Sequence, residues 1–267
     1  MPKVSVNSMT VNYEQQGDGP PLILIPYLAA DYACYAFQVA EYAKYFTCIS
    51  LDPRGAGESD KPEGVYSTQL FADDVAGFMQ ALDISRAHVT GLSLGAAVGM
   101  WLAAKYPSRV ASLSLHSAWP KTDAFVESVV KSWQIMAHAG SVIDLIILGI
   151  FPWCLTPELY TAAPDYVKGL AEFVRSRPAQ PPEAFLQQSN AVLAHDAESQ
   201  LERITAPTLI TFGQRDQLTS TRFADRLKNR IRDSEVWTFE ECAHAAMYER
   251  VQEFNQRTLA FLRRHAE

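Results

Sequence analysis

The stretch VTGLSLGAAVGMWLAA, residues 89–104, decides the fold. Val89 and Thr90 favour a strand, whereas Ala96 to Ala104 is rich in Ala, Met, Leu and Trp and favours a helix. Ser93 therefore stands at a corner between strand and helix. Gly91 and Gly95 remove the Cβ atoms that would collide when the chain reverses so tightly. A serine held at such a corner cannot relax into the core, and its hydroxyl is presented outward as a nucleophile requires. The reading then depends on a base, an acid and an oxyanion site elsewhere in the chain.

Working outward, strand and helix alternate. KVSVN and TVNYEQQ predict a hairpin at a sheet edge, and PLILIPY (21–27) is a continuous apolar run suited to a strand buried on both faces. A helix through about Tyr45, the strand TCISLD (47–52) and the loop PRGAGESDKPEG follow. In STQLFADDVAGFMQALDI, Ser67 is an N-cap, and Leu70, Phe71, Val75, Phe78 and Leu82 fall at helical spacing. After RVASLSLHS (109–117) the rhythm breaks: residues 118–204 hold helical patterns interrupted by prolines. It resumes with PTLITFGQRD, a helix from about Thr219 to Ile231, the strand EVWTF and a terminal helix from about Met247. The pattern predicts a mostly parallel, doubly wound α/β core formed by residues 1–117 and 205–267, with 118–204 as a helical lid inserted after the sixth strand.

In open α/β sheets, ligands bind beyond the carboxyl ends of strands. Ser93 lies at such an end, as does Asp216 just past Gly213, and His244 follows the next strand in EECAHAAMYER. A serine hydroxyl attacks a carbonyl when a base takes its proton and a carboxylate orients that base. Asp225 and Asp233 come too late for the acid turn, and the alternative site at the end of the sixth strand, HSAWPKTD, has no carboxylate before Asp123. His88 and His116 fall within strands as core residues, His138 and His195 belong to the insertion, and His265 is in the tail. The sequence thus predicts Ser93, Asp216 and His244 as catalytic.

At these residues the chain resembles the α/β-hydrolase fold superfamily over essentially its whole length. GLSLG is similar to the G-x-S-x-G nucleophile elbow, DPRGAGESD (52–60) to the D-x-R-G-x-G-x-S loop, FGQRDQLT to the G-x-x-D acid turn, and AHAAMYER to the H-x-x-x-x-E segment that carries the histidine. Within the superfamily it looks closest to 3-oxoadipate enol-lactonases, aminoacrylate hydrolases and small carboxylesterases. The resemblance implies that the backbone N–H groups of Leu28 and Leu94 form an oxyanion hole. It also shows a departure, because IPYLAADYACY places Pro26 and Tyr27 where most relatives have His-Gly. Tyr27 is expected either to line the pocket and donate a hydrogen bond or to pack under the loop.

Trp133, Ile147, Phe151, Trp153 and Leu155 of the insertion, with Trp119 at its hinge, are expected to roof an apolar pocket. Of these, Trp119, Trp133 and Trp153, together with Tyr27, are the expected substrate contacts. Arg175 and Arg177 are read either as binders of a substrate carboxylate or as a solvated helix face. The resulting expectation is a serine hydrolase acting on a carboxylic ester or lactone of a small, partly apolar substrate through an acyl-enzyme. The alternatives are a carbon–carbon bond hydrolase of ring-fission products and a ligand receptor on a hydrolase scaffold.

Composition sets the outer limits. The chain has 267 residues, 48% hydrophobic and 20% charged, enough for a sizeable core. A net charge of -7 argues against nucleic acid, which needs a basic footprint. Cys34, Cys48, Cys154 and Cys242 show no metal-ligand spacing and read as buried packing residues in a reducing compartment. The N-terminus lacks the apolar core of a signal peptide, and the stretch 141–155 is too short and too interrupted to span a bilayer. A cytoplasmic monomer or homodimer acting on a small molecule, with no organic cofactor, metal or membrane partner, is the expectation.

Overall fold

The apolar runs become the centre of one sheet. The computed structural model describes residues 2–266. Its strands are β1 Lys3–Val6, β2 Met9–Gln16, β3 Pro21–Ile25, β4 Thr47–Leu51, β5 Ala87–Leu92, β6 Val110–His116, β7 Thr208–Gly213 and β8 Ser234–Phe239. They order as β1-β2-β4-β3-β5-β6-β7-β8, antiparallel from β1 to β4 and parallel from β4 onward. The β1–β2 edge hairpin turns through Asn7 and Ser8, both at positive φ (46° and 64°), as a two-residue turn matched to strand twist requires.

The helices are α1 Ala36–Tyr42, α2 Thr68–Ala81, α3 Leu94–Lys105, α4 Ala124–Ala139, α5 Val142–Asp144, α6 Phe151–Cys154, α7 Pro157–Ala162, α8 Pro164–Ser176, α9 Pro182–Leu193, α10 Ala224–Arg230, α11 Ala246–Glu249 and α12 Val251–Arg264. Ser67 caps α2 by accepting from Leu70 N, as its position implied. Side-chain alternation on β3 shows why the sheet needs cover on both faces. Ile23 and Ile25 pack with Phe71, Val75 and Met100 of α2 and α3, while Leu22 and Leu24 pack with Val39, Phe254 and Phe261 of α1 and α12. The expected doubly wound arrangement, a mostly parallel sheet between two layers of helices, is present.

Helices α4 to α9 all fall between β6 and β7, together with a π-helical turn at Leu145–Ile150. The two chain ends of this segment meet at a neck. Lys121 bridges Asp196, Thr122 N donates to His195 O, and Ala197 N donates to Pro120 O. Two helix boundaries differ from expectation. The helix foreseen from Thr219 begins with a 3-10 turn at Thr221–Phe223, because the N–H groups of Leu218 and Thr219 are taken by Asp216. The terminal helix is broken at Arg250 (φ -131°, ψ 53°) into α11 and α12. No helix among the described residues is long and apolar enough to cross a membrane.

Buried imidazoles stitch the core, and they carry a pH signature. His116 bridges three strands through Thr90 Oγ1 (3.0 Å) and Thr211 Oγ1 (2.7 Å), His88 meets Ser112 Oγ (2.8 Å), and His195 meets Thr68 Oγ1 (3.0 Å). Burial pushes His116 down to about 3 and, as the leading cause, His88 and His195 to about 4. A depressed histidine is neutral in the fold but protonates in the unfolded chain, so stability is intact above about pH 6.5 and falls as pH drops through the interval to the folded value. Denaturant titrations between pH 7 and pH 4 are expected to show stability lost on the acidic side. The slope approaches about 4 kcal/mol per pH unit where all three differ by a full proton. A flat profile across that interval would show that these imidazoles are not buried neutral.

Candidate active site

The corner foreseen at Ser93 is strained. Its φ of 54° and ψ of -117° lie in a region that costs roughly 1–3 kcal/mol and persists only when the surroundings enforce it. The surroundings do. Ser93 N donates to His116 O at 2.9 Å, and Ala97 N closes the first turn of α3 on Ser93 O at 3.0 Å. A Cβ on Gly95 would stand 2.0 Å from Ile25 O, and one on Gly91 would stand 2.3 Å from the Gly95 carbonyl carbon. Only side-chain-free residues let α3 start against the end of β3, which is what brings Leu94 up beside the Pro26–Leu28 segment.

The acid turn is equally tight, since a Cβ on Gly213 would come within 1.9 Å of Ala243 O. This close crossing sets the turn after β7 against the loop after β8. Asp216 Oδ1 accepts the N–H groups of Leu218 (2.8 Å) and Thr219 (3.0 Å). Its Oδ2 meets His244 Nδ1 at 2.9 Å and Thr219 Oγ1 at 3.2 Å. Burial alone would raise this carboxyl, but the His244 charge and hydrogen bond, with the two backbone donors, hold it below the usual carboxylate range. Asp216 is therefore an anion that fixes the proton of His244 on Nδ1, leaving Nε2 free to accept.

His244 is placed by bonds to its own loop. Ser117 Oγ donates to His244 O (2.7 Å), Ala245 N donates to Cys154 O (2.9 Å), and Glu249 Oε2 accepts Ala243 N (2.6 Å). The other oxygen of Glu249 accepts both the N–H and the hydroxyl of Thr156, each at 2.6 Å. The histidine loop is thus tied to the α6–α7 joint of the insertion. Ser93 and His244 both line one cavity of about 120 Å³ at the carboxyl ends of the strands.

A sequence profile of the alpha/beta hydrolase fold matches residues 20–251. The chain belongs to the alpha/beta hydrolase fold family. This hydrolase is 25% identical over 266 residues to 3-oxoadipate enol-lactonase 2 of Acinetobacter baylyi, covering 98% of this chain and 96% of that one. It is 27% identical to 2-(acetamidomethylene)succinate hydrolase of Mesorhizobium japonicum, over 82% of this chain and 79% of the relative. The solved enol-lactonase of Burkholderia xenovorans superposes with a TM-score of 0.89 at 24% identity, covering 98% of this chain and 99% of that one, a likeness of fold.

Of the expected oxyanion residues, Leu28 lines the cavity. Neither the Leu28 nor the Leu94 N–H donates to an acceptor among the described residues. The Pro26–Tyr27 departure is absorbed by a turn in which Ala30 N donates to Tyr27 O (3.2 Å) and Ala29 takes a φ of 62°. An L-residue other than glycine there costs roughly 1–2 kcal/mol. Tyr27 lines the cavity but has no hydrogen to spare. Tyr248 Oη donates to Cys34 O (2.8 Å), so it accepts from Tyr27 Oη (2.8 Å). Burial keeps the Tyr27 phenol far above its ordinary range and protonated. The hydrogen bond foreseen from Tyr27 to a substrate is replaced by this internal one.

Trp119 and Trp133 line the cavity, with Phe151 and Leu155. Trp153 and Ile147 do not. Trp153 packs edge-on against Phe125 at 6.0 Å, and Ile143, Ile146 and Ile150 line the cavity where Ile147 does not. Arg175 is exposed. Arg177 reaches the cavity, but its Nε already donates to Asp31 Oδ2 (2.8 Å) and its guanidinium lies over Tyr32. Cys242 is fully buried, and burial lifts its thiol to about 12, as befits a packing residue.

Sequence reasoning passed over four side chains that shape this site: Thr219, Glu249, Tyr248 and Gln188. Glu249 stood in the quoted H-x-x-x-x-E segment without a role, and Thr219 stood three places after the acid. Gln188 and Tyr248 carried no local signal, because what they touch is distant in sequence. Among the described residues, no group of three or more His, Cys, Asp or Glu is placed to hold a metal ion.

Proposed function

We propose that the protein hydrolyses a carboxylic ester or lactone of a small, largely apolar molecule through an acyl-enzyme on Ser93. The observation that carries this reading is the His244 Nδ1–Asp216 Oδ2 pair at 2.9 Å in the loop that lines the same cavity as Ser93. In the first step His244 Nε2 takes the Ser93 proton as Oγ bonds to the acyl carbon, and the carbonyl oxygen becomes an oxyanion held by the Leu28 and Leu94 N–H groups. His244 then gives that proton to the leaving oxygen as the ester bond breaks. Water, deprotonated by the same imidazole, releases the acid and restores Ser93. The imidazolium formed twice in the cycle is stabilised by the Asp216 anion.

The apolar walls, with Trp119, Trp133, Val130 and Leu170 among them, suit an apolar acyl or alcohol part. The helices between residues 118 and 204 act in this reading as the lid over the strand ends. A panel of p-nitrophenyl esters, simple lactones and vinylogous diketones tests the bond cleaved. Turnover of esters or lactones above about 1 s⁻¹ is expected. Activity confined to the diketones would instead assign carbon–carbon bond hydrolysis, and binding without turnover would assign a receptor.

The lid reading has its own optical test. A serine-directed phosphonate bound at Ser93 is expected to change the emission of Trp119 and Trp133, which both line the cavity, and Trp119→Phe combined with Trp133→Phe to remove most of that change. Trp153→Phe is expected to leave it in place, since Trp153 lies outside the cavity lining. The reverse pattern would put the substrate on the other side of the roof.

A further inference from the structure

Two opposite charges face each other on the cavity wall. Among the described lining residues, Asp31 is the one carboxylate and Arg177 the one guanidinium, and no lysine is present. Asp31 stands in the loop after β3, and Arg177 directly after α8 of the insertion. Arg177 Nε donates to Asp31 Oδ2 at 2.8 Å, while Asp31 Oδ1 accepts the Ala33 N–H at 3.0 Å. The guanidinium lies 5.0 Å from the centre of the Tyr32 ring and 5.9 Å from that of Phe173. The positive charge on this wall is already answered.

A carboxylate on a substrate gains little from such an arginine. Wherever it approaches Arg177 it also approaches Asp31, and attraction and repulsion at similar distances nearly cancel. What is left is the cost of stripping the carboxylate of water, with repulsion from the Asp216 anion behind His244. Nor is Arg177 easily drawn away. Asp31 is 8% exposed, so releasing the guanidinium would leave a buried carboxylate unpaired. The Asp31 charge is felt along the wall: after burial, it is the largest influence pushing the Cys34 thiol up. An uncharged ester meets none of these costs.

We propose that Asp31 determines specificity by neutralising Arg177, so that the cavity takes uncharged esters or lactones and turns away substrates bearing a carboxylate. The inference rests on the acyl-enzyme reading above for the reaction, and adds to it the charge class of the substrate. Without Asp31 the same cavity would present a lone guanidinium among apolar side chains, which is a carboxylate-binding site. One residue separates the two preferences.

The test compares ester pairs of like shape that differ by one charge. 4-Acetoxybenzoate and 4-acetoxybenzamide place it on the leaving group, and monomethyl glutarate and methyl glutaramate place it on the acyl part. Wild-type kcat/KM is expected to favour the uncharged member of each pair by about 10-fold or more. The variants are Asp31→Asn and Asp31→Ser, which both keep an acceptor for the Ala33 N–H. In them the anionic-to-neutral ratio is expected to rise by about 10–100-fold in the pair whose charged end reaches Arg177. Adding Arg177→Gln is expected to abolish that gain, which a mere change of packing would not do. A wild-type preference for the anionic members, or a ratio within about threefold of wild type for both pairs in a folded variant, overturns the proposal. If neither Asp31 variant folds, Arg177→Gln alone decides: a ratio lowered further supports the proposal, and one unchanged or raised overturns it. Should no ester be turned over, the acyl-enzyme reading fails separately, and dissociation constants of the same compounds are expected to show the same preference and switch. Their failure to do so overturns the proposal.

Discussion

Ser93→Ala is expected to lower ester turnover by roughly 10³-fold or more, with little change in stability. The substitution removes one oxygen and keeps the Cβ, so the strained backbone at φ 54° stays as it is and the Ser93 N–His116 O bond is untouched. What disappears is the atom proposed to form the acyl bond. A residual rate of about 10³–10⁴ over water remains, from binding and the oxyanion donors alone. Steady-state kinetics beside thermal melts check the expectation. A variant with near-normal turnover removes Ser93 from the chemistry, and the cavity would then have to be read as a binding site.

The second large effect is expected from Asp216→Asn, and the hydrogen-bond pattern dictates its cause. Two backbone N–H groups, from Leu218 and Thr219, point at Oδ1, so the carbonyl oxygen of an asparagine must take that place. Its NH₂ is then forced to the Oδ2 position, facing His244 Nδ1. An imidazole that accepts at Nδ1 carries its proton on Nε2, the wrong tautomer to receive a proton from Ser93. A loss of about 10⁴ in kcat is the scale for this error in a serine triad. A loss below about tenfold, in a variant that melts like the parent, would mean that the carboxylate does not set the tautomer.

What could be read from the chain, and what could not, divides by range. The elbow, the acid turn and the histidine loop are local: each is a few residues in which glycine and a functional side chain stand at fixed offsets. The sheet was legible because Ile23 and Ile25 face one layer while Leu22 and Leu24 face the other, leaving a continuous apolar run in the text. The apolar lining contributed by residues 118–204 was legible in composition but not in direction. The lining residues Ile143, Ile146 and Ile150 stand at i, i+3 and i+7, the ordinary spacing of one helix face, and the choice of Ile147 overlooked that spacing. The bonds from Gln188 to Ala29 and from Thr156 to Glu249 join residues 159 and 93 positions apart. Such pairs depend on how helices dock, and a glutamine or threonine in isolation gives no sign of it.

The order of the strands also governs how the protein is made. β6 lies beside β5 and β7, but β7 begins at Thr208, about 90 residues after β6 ends at His116. At a synthesis rate of about 5–20 residues per second, the ribosome takes roughly 5–20 s to supply that partner. Through this interval the edge of β6 keeps backbone N–H and C=O groups unpaired, which is a template for pairing with another chain. Ser93 emerges early, whereas Asp216 and His244 arrive last, so no unfinished chain brings the three proposed catalytic residues together. Slow translation through residues 118–204 is expected to lower the yield of folded protein, and a chaperone that shields β6 to raise it.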